Sequence, residues 1–240
     1  LSRQLILANE DEFGLQYRAL KFPGRRRQAS TSAQRQLQLD SLGDSLLWAA
    51  GGTKPHIGQL SPGCQKCVDG DWSCLFINAS CNASCFYCPT AQDRVDIPAT
   101  NHLTFRHPAA YASYLKQLGF KGVSISGGEP LLTLNRTLAF LRASREALGT
   151  KGHLWMYTNG ILLTREIAGK LAEAGLDEIR FDIGATSYKC HNIAAAKGVI
   201  PVISIEIPAV PEALTTLKQV LPELSELGVA HLNLHQIRLT

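Results

Sequence analysis

The chain has 240 residues, 45% of them hydrophobic, and a formal net charge of +4 at pH 7. It can bury one sizeable core with an appendage, and its mild charge does not call for a polyanionic partner. No apolar run approaches the roughly 20 residues that span a bilayer, the first stretch meets acids too early for a signal peptide, and seven cysteines suit metal ligation in a reducing compartment better than a disulfide framework; a soluble cytoplasmic protein is expected.

Residues 1–60 read as a small, mostly helical or irregular extension and residues 61–240 as the main domain. Residues 21–32 are polar, basic and turn-rich, an exposed arm in which Arg25, Arg26 and Arg27 are a solvated turn rather than a nucleic-acid contact. Leu37, Leu42, Leu46, Leu47 and Trp48 recur at roughly helical spacing, which predicts a helix over Ala33–Ala50, ended by Gly51 and Gly52. Next comes Pro62-Gly63-Cys64-Gln65-Lys66-Cys67, a C-x2-C knuckle of the kind that supplies half of a four-ligand metal site. Cys74, Cys190 and His191 are its available complements. A second metal at Cys64 and Cys67 is the less favoured reading, because Cys74 opens a buried strand and Cys190 falls in a predicted helix.

From Cys74 onward strands and helices alternate. Leu75–Asn78, Gly122–Ser126, His153–Tyr157, Glu178–Ile183, Val202–Ile207 and His231–His235 are predicted strands. Pro108–Leu118, Leu131–Leu148, Thr164–Leu176, Ser187–Lys197 and Pro211–Leu227 are predicted helices, with Thr164 as a cap and glycines at the stops. Such βα units give parallel strands with right-handed crossovers, so the fold class is α/β. The polar motifs favour a partial (β/α)6 TIM-type barrel over a doubly wound sheet, because each lies at or just past the C-terminal end of a strand: the cysteine loop, Gly127–Pro130, Thr158-Asn159-Gly160, Asp182, Glu206 and His235-Gln236. In a parallel barrel those ends share one face, where active sites are built. Glu206 is either an inward ligand-binding acid or a polar-face residue. Asn233 and His235 alternate with Leu232 and Leu234, so the polar pair should face the interior and the leucines should pack outward against helices.

The cysteine loop runs Ser80-Cys81-Asn82-Ala83-Ser84-Cys85-Phe86-Tyr87-Cys88-Pro89, a C-x3-C-x2-C spacing. Three thiolates on one tight loop can each bind a different iron of a cubane but cannot close a four-ligand site, so one position stays open. Followed about 40 residues later by Ser126-Gly127-Gly128-Glu129-Pro130, this loop resembles that of the radical S-adenosylmethionine enzyme superfamily. A zinc site completed by a distant Cys or His is the rival for the cysteines alone, and it leaves the glycine turn unexplained. The resemblance implies that Cys81, Cys85 and Cys88 hold three irons of a [4Fe-4S] cluster whose fourth iron takes the amine and carboxylate of S-adenosylmethionine. It implies that Gly127, Gly128 and Glu129 meet the methionine amine, with Pro130 stiffening the turn. Tyr87 would lie near the adenine, Asn159 near the carboxylate or ribose, and Asp182 near the ribose hydroxyls, a cap for the next helix being the less favoured reading of Asp182. Reductive cleavage would then give a 5'-deoxyadenosyl radical, with a flavodoxin- or ferredoxin-type electron donor and a peptide or protein substrate admitted through the open side of the barrel.

Pro62-Gly-Cys-x-x-Cys, Gly70-Asp-Trp72, the Ile205–Pro211 run and Leu232–His235 are similar to the pyruvate formate-lyase activating enzyme-like group, which is related to methanogenesis-marker arginine methyltransferases. Cobalamin, used by those methylating relatives, is a possible further cofactor that no motif of this sequence supports. The alternatives are an activase of a glycyl-radical enzyme and a noncatalytic iron-sulfur or zinc-binding protein.

Overall fold

The computed structural model describes residues 3–19, 21, 23–88 and 97–237. They form two compact units, divided between Gln59 and Leu60.

The first unit holds helices α1 (Arg3–Ala19) and α2 (Arg25–Asp40) and the antiparallel hairpin of β1 (Leu46–Ala49) and β2 (Lys54–Ile57). Two expectations are corrected here. The basic stretch is already helical from Arg25, because nothing from Gly24 to Asp40 breaks a helix once Gly24 has supplied the extended residue before it. The helix expected over Ala33–Ala50 stops at Asp40. Leu46, Leu47 and Trp48 form a strand instead, and Gly51 and Gly52, at φ of 63° and 84°, make the return turn rather than a helix stop.

In the second unit, α3 (Pro62–Asp69) carries the C-x2-C pair. Ser61 caps it by accepting from the Cys64 N–H, Pro62 starts it, and Gly70 ends it in the left-handed region. The expected knuckle is therefore one turn of helix. The chain then builds β3 (Trp72–Phe76), the short β4 (Ala99–Thr100) and β5 (Leu103–Thr104), α4 (Pro108–Leu118), β6 (Gly122–Ser126), α5 (Leu134–Leu148), β7 (His153–Thr158), α6 (Arg165–Glu173), β8 (Glu178–Phe181), β9 (Val202–Pro208), α7 (Leu214–Glu226) and β10 (His231–His235).

The sheet order is β10-β9-β8-β7-β6-β3-β4-β5. All pairings from β3 through β10 by way of β6 to β9 are parallel, and β4 and β5 add antiparallel at one edge. Six sequential parallel strands with intervening helical connections are the partial barrel expected. The segment between β8 and β9 departs from expectation. Ser187 and Tyr188 have φ of 53° and 63°, so the helix predicted over Ser187–Lys197 shrinks to a single 3-10 stretch, His191–Ala195.

Alternation sorts the side chains. Val123, Ile125, Leu154, Met156, Ile179, Ile203 and Ile205 form the core with Tyr111, Leu115, Leu138, Leu141 and Leu171 of the helices. Leu232 and Leu234 are 39% and 46% exposed, so the helix cover expected for them is not found among the described residues.

Candidate active site

The loop after β3 is held to the loop after β6 by backbone bonds. Ile77 N–H donates to the Ser126 carbonyl (2.9 Å), Gly128 N–H to Asn78 (2.9 Å) and Glu129 N–H to Ser80 (2.7 Å), while the Asn78 side-chain amide donates back to the Glu129 carbonyl at 3.0 Å. A Cβ at Gly127 or Gly128 would run into the carbonyls of Asn78 and Ser80. These glycines thus let two segments of the same chain close on each other.

Glu129 is 1% exposed, and its carboxylate accepts from Leu131 N–H (3.0 Å), the Thr158 hydroxyl (2.8 Å) and Asn159 N–H (2.8 Å). Burial pushes its pKa up, opposed by those three donors. It ties the β6 turn to the end of β7, with one acceptor position of the carboxylate still available. Pro130 is buried, and its carbonyl accepts from the Thr137 hydroxyl at 2.8 Å. Asn159 turns the other way, toward the cysteines. Its side-chain amide donates to Asn82 Oδ1 at 2.7 Å and lies 3.7 Å from Cys81 Sγ.

At the end of β8, Asp182 accepts from the Tyr87 hydroxyl at 2.9 and 3.0 Å on its two oxygens, and from Gly184 N–H at 3.0 Å. It therefore caps the following 3-10 turn and also binds the cysteine loop. Its pKa is raised by burial, against the pull of Tyr87 and the backbone donors. Cys81, Cys85 and Cys88 are half-buried, and none of the seven cysteines is in a disulfide. Burial pushes the Cys85 thiol up, its hydrogen bond with Tyr87 opposes, and the charges of Asp182, Cys88 and Cys81 push it further. Pro89 lies outside the described residues.

The chemistry of this donor set fits an iron-sulfur cluster with an open iron. Among the described residues no three His, Cys, Asp or Glu side chains gather about one ion, and thiols that serve separate corners of a cubane do not converge on one ion. Cys190 is buried and its thiol meets the Tyr188 carbonyl at 3.4 Å; Cys74, half-buried in β3, has its pKa raised by burial, with Ser124 opposing.

Below this site lies a polar interior in which the sequence pointed to Glu206, Asn233 and His235 but assigned no role to Arg180 or Glu178. Arg180, almost fully buried, donates to Glu178 (2.8 Å), Glu206 (3.1 Å), the Tyr157 hydroxyl (3.3 Å) and Ser61 Oγ (2.9 Å), and its guanidinium lies over the Trp155 and Tyr157 rings. Glu178 also accepts from Gly63 N–H at the start of α3 and from the Ser204 hydroxyl, and meets His153 Nε2 at 2.9 Å. Glu206 takes both contacts of the Asn233 amide, at 2.7 Å, and lies 3.9 Å from His235 Nδ1. Glu206 and Asn233 thus share one interior layer, with the half-exposed His235 above them.

A family model described as the Radical SAM superfamily matches residues 75–200, over half of the chain and the stretch that carries the cysteine loop, Gly127–Pro130, Asn159 and Asp182. The chain belongs to the radical SAM superfamily. It is accordingly a radical SAM enzyme, and the family implies S-adenosylmethionine and a [4Fe-4S] cluster. Over 168 residues this radical SAM chain is 32% identical to a protein of Methanocaldococcus jannaschii named "Putative glycyl-radical enzyme activating enzyme", covering 65% of this chain and 44% of the relative. Over 115 residues it is 34% identical to a GTP 3',8-cyclase of Staphylococcus aureus, covering 46% and 33%. The chain thus spans less than half the length of these two curated relatives. Among solved structures, SuiB of Streptococcus suis matches with a TM-score of 0.56 at 12% identity, covering 99% of this chain and 51% of that one. The protein anSMEcpe, solved with bound AdoMet, matches at 0.53 and 15% identity, covering 70% and 51%. Both likenesses concern the fold alone. Among the described residues no helix is long and apolar enough to cross a membrane.

Proposed function

We propose that this radical SAM enzyme modifies a peptide or protein, with Cys81, Cys85 and Cys88 holding the cluster and Gly127, Gly128, Glu129, Pro130, Tyr87, Asn159 and Asp182 enclosing S-adenosylmethionine. One observation carries the reading: three half-buried thiols sit on a loop clasped on one side by the Gly127–Glu129 turn and on the other by Asn159 and Asp182. Bound together, cluster and S-adenosylmethionine supply a 5'-deoxyadenosyl radical. The chain's own part is positional. The backbone of the glycine turn and the remaining acceptor position of Glu129 suit an ammonium group, and Asp182 and Asn159 offer acceptors and a donor for hydroxyls and a carboxylate.

A large substrate suits the strand edge at β10, which has β9 as its one pairing partner among the described residues. The activating-enzyme relative favours a glycyl-radical enzyme as the particular target. A flavodoxin- or ferredoxin-type protein would deliver the electron, and the cytoplasm would keep the thiols reduced. The test is anaerobic reconstitution and reduction, followed by chromatography for 5'-deoxyadenosine. The expected result is about four irons per chain and S-adenosylmethionine cleavage, both lost in Cys85→Ala. A chain that loads iron yet neither binds nor cleaves S-adenosylmethionine would be the noncatalytic iron-sulfur protein instead.

A further inference from the structure

Tyr87 precedes the last cysteine of the loop, and its hydroxyl reaches across to the end of β8. It bonds both oxygens of Asp182, at 2.9 and 3.0 Å. The space it occupies is kept open by a missing side chain. A Cβ on Gly184 would meet the Tyr87 hydroxyl and then Asp182 Oδ1. Gly184 has no left-handed backbone to excuse its glycine, and its N–H is itself the second donor to Asp182, at 3.0 Å. The chain has thus built a seat for one phenol between the cysteine loop and one acid, 95 residues apart in sequence.

We infer that the Tyr87 hydroxyl is a positioning strap that couples the cysteine loop to the nucleoside subsite, so that loading the cysteines raises the affinity of Asp182's site for a ribose-bearing ligand. The inference rests on the reading of Asp182 as a ribose residue given above. Metal–thiolate bonds fix the loop that carries them, and a fixed loop holds the phenol, which holds the carboxylate in one rotamer. Coupling between two sites is reciprocal, so nucleoside binding would favour the loaded loop by the same factor. Two carboxylate oxygens offer about four acceptor positions, so Asp182 keeps acceptor capacity beside its bonds from Tyr87 and the backbone N–H groups.

Adenosine is the probe that isolates this coupling. It has ribose and base but no methionine, so it cannot gain affinity by ligating iron. Equilibrium dialysis of adenosine against the iron-free and the reconstituted full chain, under anaerobic conditions, gives a ratio of dissociation constants. The wild-type chain should bind adenosine roughly tenfold tighter when loaded, the size of a hydrogen bond to a charged group. Tyr87→Phe keeps the ring and should keep its iron, while the ratio falls close to one. Gly184→Ala removes no polar group and should do the same by displacing the hydroxyl; it decides the matter if Tyr87→Phe loads poorly. A ratio near one in the wild type, or a tenfold ratio that survives in Gly184→Ala, overturns the strap. If the wild-type ratio is present but no S-adenosylmethionine is cleaved, the catalytic reading fails and the coupling stands.

Discussion

Arg180 balances the charge of the barrel interior, and its partners show how much depends on one guanidinium. Glu178 is fully buried; burial works to raise its carboxyl, but the His153 contact, the charge of Arg180 and the Ser204 hydroxyl outweigh it and bring it down to about 2 from 4.5. Replacing Arg180 by Met takes the guanidinium from the buried Glu178 and the half-buried Glu206, and should cost on the order of 3–5 kcal/mol in urea unfolding. Glu178→Gln should cost about 3 kcal/mol at neutral pH. A carboxyl depressed in the folded state stabilises above its unfolded pKa and loses that stabilisation as pH falls through the folded one. The deficit of Glu178→Gln relative to wild type should therefore shrink between about pH 4.5 and pH 2. A pH-independent deficit would show that packing, not charge, is what Glu178 contributes. None of this was legible in the sequence. Glu178 reads there as one strand residue among others, because the Gly63 N–H that it accepts lies 115 residues away. The cysteines were legible for the opposite reason, since their spacing within one loop is itself the chemistry. The Glu129 carboxylate lies between these cases: its motif is local, yet its donors Thr158 and Asn159 come from the next strand.

At the scale of elements, the parallel strands could be read from short branched or aromatic-rich runs and four of the five helices from caps and stops, whereas the 3-10 stretch in place of a helix over 187–197 and α3 could not. Its two cysteines suggested a metal knuckle, and only the structure shows a helix whose first turn seals the interior, with Ser61 on Arg180 and Gly63 on Glu178. Two elements therefore depend on glycines for close approach rather than for flexibility. A Cβ on Gly63 would meet Arg180, Glu178 and Trp155, so Gly63→Ala should destabilise the unit by about 1–3 kcal/mol through overpacking. That loss should be non-additive with Arg180→Met, because both act on one network. Gly128→Ala forces a Cβ onto the Ser80 carbonyl and the Ala79 backbone, neither of which can swing aside. The strands should persist by circular dichroism while iron uptake falls well below the wild-type level. Full iron loading in that variant would mean that the cysteine loop assembles its cluster without the glycine turn.

Across the whole molecule, protection should follow the order of strands in the sheet. The interior strands β6, β7 and β8 are paired on both sides and almost fully buried, so their amides can exchange only by unfolding of the unit. β10 has one partner among the described residues, alternates half-buried with exposed positions, and shows Leu232 and Leu234 to solvent. An edge of this kind opens locally and offers unpaired backbone groups to another chain. In the first unit, α2 has no buried residue at all, so its amides are held by helix formation alone, which is marginal for a helix of 16 residues. Hydrogen exchange read by mass spectrometry should accordingly rank α2 fastest, β10 next, and β7 with β8 slowest, with β10 exchanging on the order of 10–100 times faster than β7. Equal protection of β10 and β7 would mean that the edge is covered in solution. Dilution would then separate the causes, since cover by a second copy is lost at low concentration and cover by the chain itself is not.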